Sequence, residues 1–184
     1  HNFSPGSEEA KILHYDELKG FNPAIIVVAV SAFGQYGPYS ERPGFDTVGQ
    51  AISGAMSFTG FPGDPPTRSG VAWVDYSTAI HAALGTMFAL YHRERTGQGQ
   101  MVDMALLDSA VYAVAAIGAA ADYKINGVVR WQMGNYSYYN FAGCFKAKDG
   151  WVLIYPITNA LWRRFARVIG REDLITDPRC KDLV

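Results

Sequence analysis

The sequence has few cysteines, no excess of basic charge and no long apolar run. Its two cysteines, Cys144 and Cys180, show neither pairing nor metal-ligand spacing, which favours a reducing, cytoplasmic setting. The formal net charge of −1 argues against a nucleic-acid partner, because such surfaces need clustered Lys and Arg. No apolar stretch reaches the roughly 20 residues that span a bilayer, so we expect no membrane partner.

The composition is that of a folded domain. Hydrophobic residues make up 49% of the 184 residues and aromatic residues 14%, which is enough for a sizeable core. The opening residues, "HNFSPGSEEAK", are polar, and they contain neither an initiator Met nor the apolar segment of a signal peptide. We therefore expect the sequence to begin inside a longer protein.

An apolar, β-branched run, "AIIVVAVSAFG" at residues 24–34, predicts a strand buried on both faces, as in a parallel sheet. A strand of this type needs neighbours in a sheet. No second strong strand of the same kind lies nearby, so we expect its partners upstream of His1.

Three helices are predicted after this strand. Small and apolar residues at 47–59 fit the first, and a long apolar helix follows Asp75 and stops near Arg95 at "RTGQG". An Ala-rich helix is predicted over about residues 104–125, and its scarcity of charge suggests burial on most sides, including against a partner subunit.

The C-terminal part changes character. "CFKAKDGWVLIY" predicts a hairpin with Asp149-Gly150 in a type I′ turn. "TNALWRRFARVIG" predicts an amphipathic helix that Thr158 or Asn159 caps at its start and Gly170 at its end. We expect the boundary between the two regions near residues 127–140.

Asp75 is the carboxylate whose position needs an explanation, since it stands between "VAWV" and a long apolar helix. One interpretation is helix capping, which typically contributes ~1 kcal/mol. The other is a reactive group, because the flanking Gly-rich loops would let a ligand approach and the helix N-terminus would keep the carboxylate ionised. The sequence alone leaves both open.

Other candidate groups point to packing. His81 lies within the apolar helix and His92 among charged residues, and neither has metal-ligand spacing, so we expect no metal. Neither a nucleophile elbow nor a dinucleotide fingerprint is present. The cluster Tyr136, Tyr138 and Tyr139 is expected in the core, at an interface or in a substrate wall.

Five stretches together resemble one family, the formyl-CoA transferase-like class III CoA transferases. They are "NFSPG" (2–6), "NPAIIVVAVSAFGQYGPYSERPGFD" (22–46), "GVAWVD" (70–75), "LYHRERTGQGQMVDMALLDSA" (90–110) and "DPR" (177–179). The resemblance implies an α/β fold and an interlocked homodimer. Residues 1–127 would be part of a Rossmann-like large domain, and residues 128–184 the start of a small α+β domain.

The resemblance also implies a chemistry. The aspartate at the place of Asp75 attacks an acyl-CoA thioester to form an anhydride, and the CoA thiolate returns to give an aspartyl-CoA thioester. An acceptor carboxylate then enters through a second anhydride. Coenzyme A is thus a substrate, carboxylic acids are the other partners, and no metal is required. Backbone N–H groups at the start of the Asp75 helix are expected oxyanion donors.

By the same resemblance, several residues would contact substrates. On the CoA side these are Asn2, Phe3, Ser7 and Lys11, with Arg42 and Phe45 facing the thioester; on the acyl side they are Gly134, Asn135 and Tyr136. The sequence departs from the family in two places. Ala10 stands where a basic residue is expected, and "MGNYSYYNF" replaces a Gly-rich loop, which points away from formate and oxalate.

Two other functions stay open at this point. A racemase branch of the same scaffold uses a His in "G-H-D" with an Asp as acid and base. Here the matching residues are Gly44-Phe45-Asp46, and Phe45 cannot transfer a proton, which favours the transferase. The third interpretation is a truncated chain that folds as an interaction module and catalyses nothing.

Overall fold

The computed structural model describes residues 1–138 and 140–180, which form two compact units. The first unit contains His1–Thr59 and Pro65–Trp131, and the second contains Gly60–Asp64 and Gln132–Val184. The α/β class expected from the sequence is confirmed, since strands and helices alternate along the first unit.

The sheet of the first unit is a parallel pair of strands. β1 (Val27–Ser31) lies beside β2 (Met101–Ala105), with Val27 opposite Met101 and Ser31 opposite Ala105. The expectation that β1 has no partner strand within this sequence is therefore wrong. β2 was missed because Asp103 interrupts its apolar pattern and because the predicted Ala-rich helix overlapped its end.

The helices of the first unit are arranged around this pair. The polypeptide enters through two short helices and crosses from β1 to β2 through a short and a long one. In chain order they are α1 (Glu8–Ile12), α2 (Tyr15–Leu18), α3 (Asp46–Ile52), α4 (Trp73–Thr96), α5 (Leu106–Ala116) and α6 (Ala119–Asn126). A 3₁₀ turn, Ala55–Ser57, follows α3. The predicted long helix is confirmed, and it ends at Gly97 in the left-handed conformation.

The Ala-rich segment is not one helix. Gly118 has a φ of 81° and separates α5 from α6, because a left-handed residue cannot continue a right-handed helix. No single helix in the described residues is long and apolar enough to cross a membrane. Taken together, α5 and α6 have the length and apolar composition for such a span, but the two helices are bent by 62° at the break between them.

Small residues allow the elements of the first unit to pack closely. Val74 on α4 is fully buried with Leu106 and Ala110 of α5. A Cβ added to Gly49 of α3 would lie 2.9 Å from a methyl group of Val74. A Cβ added to Gly85 of α4 would lie 2.7 Å from a methyl group of Val102. The glycines thus set the distances of α4 from α3 and from β2.

The second unit contains the predicted hairpin. β3 (Gly143–Lys146) pairs antiparallel with β4 (Trp151–Ile154). The type I′ turn was wrong, because four residues connect the strands and neither Asp149 nor Gly150 has a positive φ. The strands end earlier than the turn signal implied.

The predicted amphipathic helix of the second unit is α7 (Asn159–Val168). Thr158 caps its start by accepting the Leu161 N–H at 3.2 Å. Gly170 has a φ of 70° just beyond its end, so both capping predictions are confirmed. Two 3₁₀ turns follow, Glu172–Ile175 and Pro178–Cys180.

Gly99 offers a test of how the two strands are brought together. A Cβ at this position would lie 1.6 Å from the Ile25 carbonyl oxygen, just before β1. We expect Gly99→Ala to destabilise the fold by more than ~3 kcal/mol, because backbone has to move. The measurement is the denaturant midpoint. Gly150→Ala is the control, since a Cβ there meets nothing within 4 Å; equal midpoints for the two variants would contradict the packing.

Candidate functional site

A cavity of about 410 Å³ opens in the first unit at the carboxyl end of β1. Ligands of open α/β sheets commonly bind at this edge. Its walls come from the residues that follow β1, the loop before α3, the first turns of α4 and the start of α5. They include Asn2, Ser31, Arg42, Phe45, Asp75, Thr78 and Leu106. Gly44 brings the loop against β1, because an added Cβ would lie 2.7 Å from the Ala32 side chain.

Asp75 faces this cavity from the first turn of α4, but it does not cap the helix. α4 begins at Trp73, and its N-cap residue, Ala72, has no capping side chain. The capping interpretation of Asp75 is therefore wrong. Its carboxylate accepts no hydrogen bond from any residue within 1–138 and 140–180, and the side chain is exposed.

The cap of α4 comes from another helix. Asp46, the first residue of α3, accepts the Val74 N–H at 2.8 Å and the Asp75 N–H at 3.2 Å through the same oxygen, Oδ2. Its other oxygen accepts a hydrogen bond from the Gln50 side-chain amide. Both residues are buried, with 8% of Asp46 and 1% of Gln50 exposed. In the sequence, Asp46 stands out only as part of the segment that matches the racemase motif, and Gln50 carries no signal of its own.

The backbone N–H groups at the start of α4 are all engaged. Trp73 donates to the Val71 carbonyl at 2.9 Å, and Tyr76 donates to the Ala72 carbonyl at 3.2 Å. Val74 and Asp75 donate to Asp46, as described above. The expected oxyanion donors at this helix start are therefore not free, so that prediction is corrected.

The pKa of the Asp75 carboxyl is raised from its ordinary value. Burial of the charged form contributes most, and the negative charge of Asp46 adds to it. The direction is opposite to the one expected from the helix N-terminus alone. A raised pKa makes the carboxylate more basic, which strengthens the ionised form as a nucleophile.

Arg42 is the cationic residue of the cavity wall. Its guanidinium lies 4.2 Å from the centre of the Tyr39 ring, which holds it by a cation–π contact. Over the described part of the chain, Arg42 has no carboxylate within salt-bridge distance. The site thus holds an exposed carboxylate and a cation that is not neutralised by a protein carboxylate.

The predicted CoA-side residues fall into two groups. Asn2, Arg42 and Phe45 lie with Asp75 around the cavity, and Phe45 is 79% exposed. Phe3 stacks on His1 with ring centres 5.7 Å apart. It is not among the residues that line the cavity.

Ser7 and Lys11 lie outside that cavity. The Ser7 hydroxyl caps α1 by accepting the Ala10 N–H at 3.2 Å, and Lys11 pairs with Glu8 at 2.7 Å. Lys11 lines a smaller cavity of about 260 Å³, which shares Pro5 with the first. A long substrate could therefore reach from Asp75 towards Lys11.

The predicted acyl-side residues belong to the second unit. Asn135 and Tyr136 line a cavity of about 350 Å³ together with Phe61, Cys144 and Trp151. Gly134 has a φ of 61° and lies against the Phe61 ring. In the tyrosine cluster, Tyr138 is half-buried, and Tyr139 lies outside the described residues.

His81, in the middle of the long helix, is held by contacts with α5. His81 Nδ1 lies 3.3 Å from the Ser109 hydroxyl, and its ring meets Tyr112 edge-on at 5.5 Å. No group of three or more His, Cys, Asp or Glu residues in the described ranges is placed to hold a metal ion.

The sequence matches known proteins along almost its whole length. The model of CoA-transferase family III matches residues 1–183. Succinyl-CoA–D-citramalate CoA-transferase of Chloroflexus aurantiacus is 38% identical over 181 residues, which cover 97% of this chain and 44% of that protein. Acetyl-CoA:oxalate CoA-transferase of Acetobacter aceti is 36% identical over 180 residues, which cover 97% and 46%. The chain spans a little under half the length of these relatives.

Solved structures agree with this similarity. A crystal structure of a CAIB/BAIF family protein from Brucella suis has a TM-score of 0.76 and 32% identity, covering 97% of this chain and 47% of that one. The orthorhombic form of Rv3272 from M. tuberculosis has a TM-score of 0.80 and 28% identity, covering 100% and 48%. Given the family match over nearly every residue, this chain belongs to CoA-transferase family III.

Proposed function

We propose that the protein to which this chain belongs transfers coenzyme A from an acyl-CoA to a carboxylic acid, with Asp75 as the covalent nucleophile. The observation that carries the proposal is the Asp75 carboxylate, which lies exposed at a cavity and is relieved of capping by Asp46. A carboxylate kept as the cap of α4 would accept the N–H groups of its first turn, and Asp46 accepts them instead.

Every step of the proposed reaction exchanges one acyl bond for another. The Asp75 carboxylate attacks the thioester carbonyl, the C–S bond breaks, and CoA thiolate leaves behind a mixed anhydride. The thiolate then attacks the Asp75 carbonyl carbon, which forms an aspartyl-CoA thioester and releases the first acid. The acceptor carboxylate then attacks the aspartyl-CoA thioester, which releases CoA thiolate and forms a second mixed anhydride. The thiolate attacks the carbonyl carbon of the acceptor, which gives the new acyl-CoA and regenerates Asp75.

The cation of the site is assigned to the anionic groups of the substrates. Arg42 stands in the same cavity wall as Asp75, and the resemblance implies that it faces the thioester. The named relatives act on succinyl, citramalate, acetyl and oxalate groups, and all of these except acetyl carry a carboxylate besides the one that is exchanged. These names support a dicarboxylic acid as one substrate of this protein.

The remaining assignments complete the proposal. Asn2, Phe3, Ser7 and Lys11 would hold the rest of CoA, and Gly134, Asn135 and Tyr136 would contact the acyl group. We propose a homodimer, as the resemblance implies, and a cytoplasmic location, which the two widely separated cysteines favour. Phe45 at the cavity offers no proton-transfer group, so the structure adds nothing in favour of the racemase.

Replacement of the nucleophile is the first test of the proposal. Asp75→Ala in the full-length protein is expected to lower the transfer rate by at least about 10³-fold, because the covalent path is lost. In the unchanged protein, acyl-CoA should leave an adduct on Asp75 that hydroxylamine cleaves. The measurements are the transfer rate and the mass of the Asp75 peptide.

Glu94→Gln is the matched control, since it removes a carboxylate from the exposed far end of the same helix. Robust turnover by Asp75→Ala would refute the nucleophile. Deuterium exchange at the substrate α-carbon without acyl transfer would identify the racemase instead. Binding of CoA with neither reaction would identify a module that only binds.

Arg42→Gln tests the cation. We expect the KM for acyl-CoA to rise about 10- to 100-fold, as for the loss of a hydrogen bond to a charged group. Arg95→Gln is the control, because Arg95 also stacks on a tyrosine, Tyr91, at 5.2 Å on the distant end of α4. A rise confined to the KM of the acid acceptor would move Arg42 to the acceptor side, and no change in either KM would exclude it from binding.

The raised pKa of Asp75 predicts a pH-dependent effect on stability. The folded state binds the Asp75 proton more tightly than the unfolded chain, so ionisation of this group destabilises the fold. The effect is absent below the ordinary pKa, develops between the ordinary and the raised pKa, and is complete above the raised pKa. Asp75→Asn should therefore raise Tm at pH 7 and lose this advantage as the pH falls below the ordinary pKa of an aspartate. A Tm difference that does not change with pH would contradict the prediction.

A further inference from the structure

We propose that Asp46 and Gln50 of α3 are positioning residues, which fix the backbone of Asp75 through a one-way chain of hydrogen bonds that ends on the Asp46 carboxylate. The inference rests on the proposed role of Asp75 as nucleophile. It adds the residues that hold the nucleophile without touching the reacting atoms.

The chain of hydrogen bonds has a defined direction. The Ser69 N–H donates to Gln50 Oε1 at 2.8 Å, and Gln50 Nε2 donates to Asp46 Oδ1. Gln50 Nε2 also lies 3.5 Å from the Val71 carbonyl oxygen. Both contacts of Nε2 are with acceptors, so they fix which end of the Gln50 amide points to Asp46.

Two peptide groups of α4 meet at the same carboxylate. The Val74 and Asp75 N–H groups donate to Asp46 Oδ2 at 2.8 and 3.2 Å. The loop before α4 is tied to Gln50, and the first turn of α4 is tied to Asp46. The backbone of Asp75 is therefore held from α3, since α4 has no capping side chain of its own.

This arrangement requires a group at position 46 that only accepts. Asp46 receives donors on both oxygens, from Gln50 on one and from α4 on the other. An Asn would place an NH₂ group against one of these donors. Rotation of Gln50 to relieve that contact would turn its own NH₂ towards the Ser69 N–H. No orientation of the two amides satisfies every partner.

The same carboxylate also acts on the charge of Asp75. The elements packed against α4 carry three charged residues, which are Asp46 on α3, Asp103 on β2 and Asp108 on α5. The loop before α3 adds Arg42, which lines the same cavity as Asp75. Burial contributes most to the raised pKa of Asp75, and Asp46 is the charged residue that raises it further. A packing role alone would not produce this effect, so the titration of Asp75 can separate the two.

The experiment compares Asp46→Asn with Asp108→Asn in the full-length protein. Asp108 is an exposed carboxylate on the neighbouring helix, which makes it a matched removal of charge. In Asp46→Asn, the pKa of Asp75, followed by NMR of ¹³Cγ-labelled aspartate, should fall towards the ordinary value. Exchange of the Val74 and Asp75 amide hydrogens should become at least about tenfold faster. Asp108→Asn should change neither.

Kinetics give an independent readout. Asp46→Asn should lower kcat by about 10- to 100-fold, because a misplaced nucleophile reacts slowly even when substrate binds. The KM for acyl-CoA should stay within about twofold, since Asp46 does not line the cavity. The acid limb of the pH–rate profile of Asp46→Asn should lie at lower pH than that of the unchanged protein. An increase in KM with unchanged kcat would overturn the positioning role.

The unchanged protein provides a measurement that does not depend on folding of a variant. The Val74 and Asp75 amides should be protected from exchange, although first-turn amides of a helix usually are not. Rapid exchange of both would overturn the proposal. If these amides are protected and the Asp75 titration responds to Asp46→Asn, but no acyl transfer occurs, the positioning stands and the proposed function fails. If transfer proceeds through Asp75 while Asp46→Asn leaves titration and exchange unchanged, the positioning fails alone.

Discussion

The contact of the Asp46 carboxylate with the first turn of α4 is the interaction on which the site depends. It replaces the N-cap that Ala72 cannot supply, and an N-cap of this kind is typically worth ~1 kcal/mol. The contact is possible because Gly49 lets α3 approach Val74 closely. A side chain at position 49 would move the whole of α3, and with it the cap. Small residues here decide a distance on which the chemistry relies.

Two aspartates divide the start of α4 between a structural contact and the proposed reactive group. Asp46 is buried and takes the backbone donors, while Asp75 stays exposed at the cavity without a hydrogen bond from the described residues. The charge of Asp46 then raises the pKa of Asp75 and makes it a stronger base. A carboxylate that capped its own helix would lose nucleophilicity to those hydrogen bonds. The N–H groups of this turn are engaged within the protein, so we propose Arg42 as the group that stabilises substrate charge.

Several features of the fold follow from local sequence patterns. Four elements were predictable because their signals lie within the elements themselves. They are the core of β1, the long helix after Asp75, the hairpin and the capped amphipathic helix. β2 was not, because Asp103 breaks its pattern. The left-handed Gly118 was missed for a similar reason: one glycine in an Ala-rich run is compatible with an unbroken helix. The type I′ turn failed because the turn signal cannot say where the strands end.

The sequence by itself determined that Asp75 is unusual, since a carboxylate between apolar runs at a helix start needs a partner or a function. Only the tertiary structure decided between these, because the competing cap, Asp46, lies 29 residues away along the chain. Sequence patterns report neighbours within a few residues, whereas a cap supplied by another helix depends on how the two helices pack. That packing makes Asp46 the structural aspartate and leaves Asp75 facing the cavity.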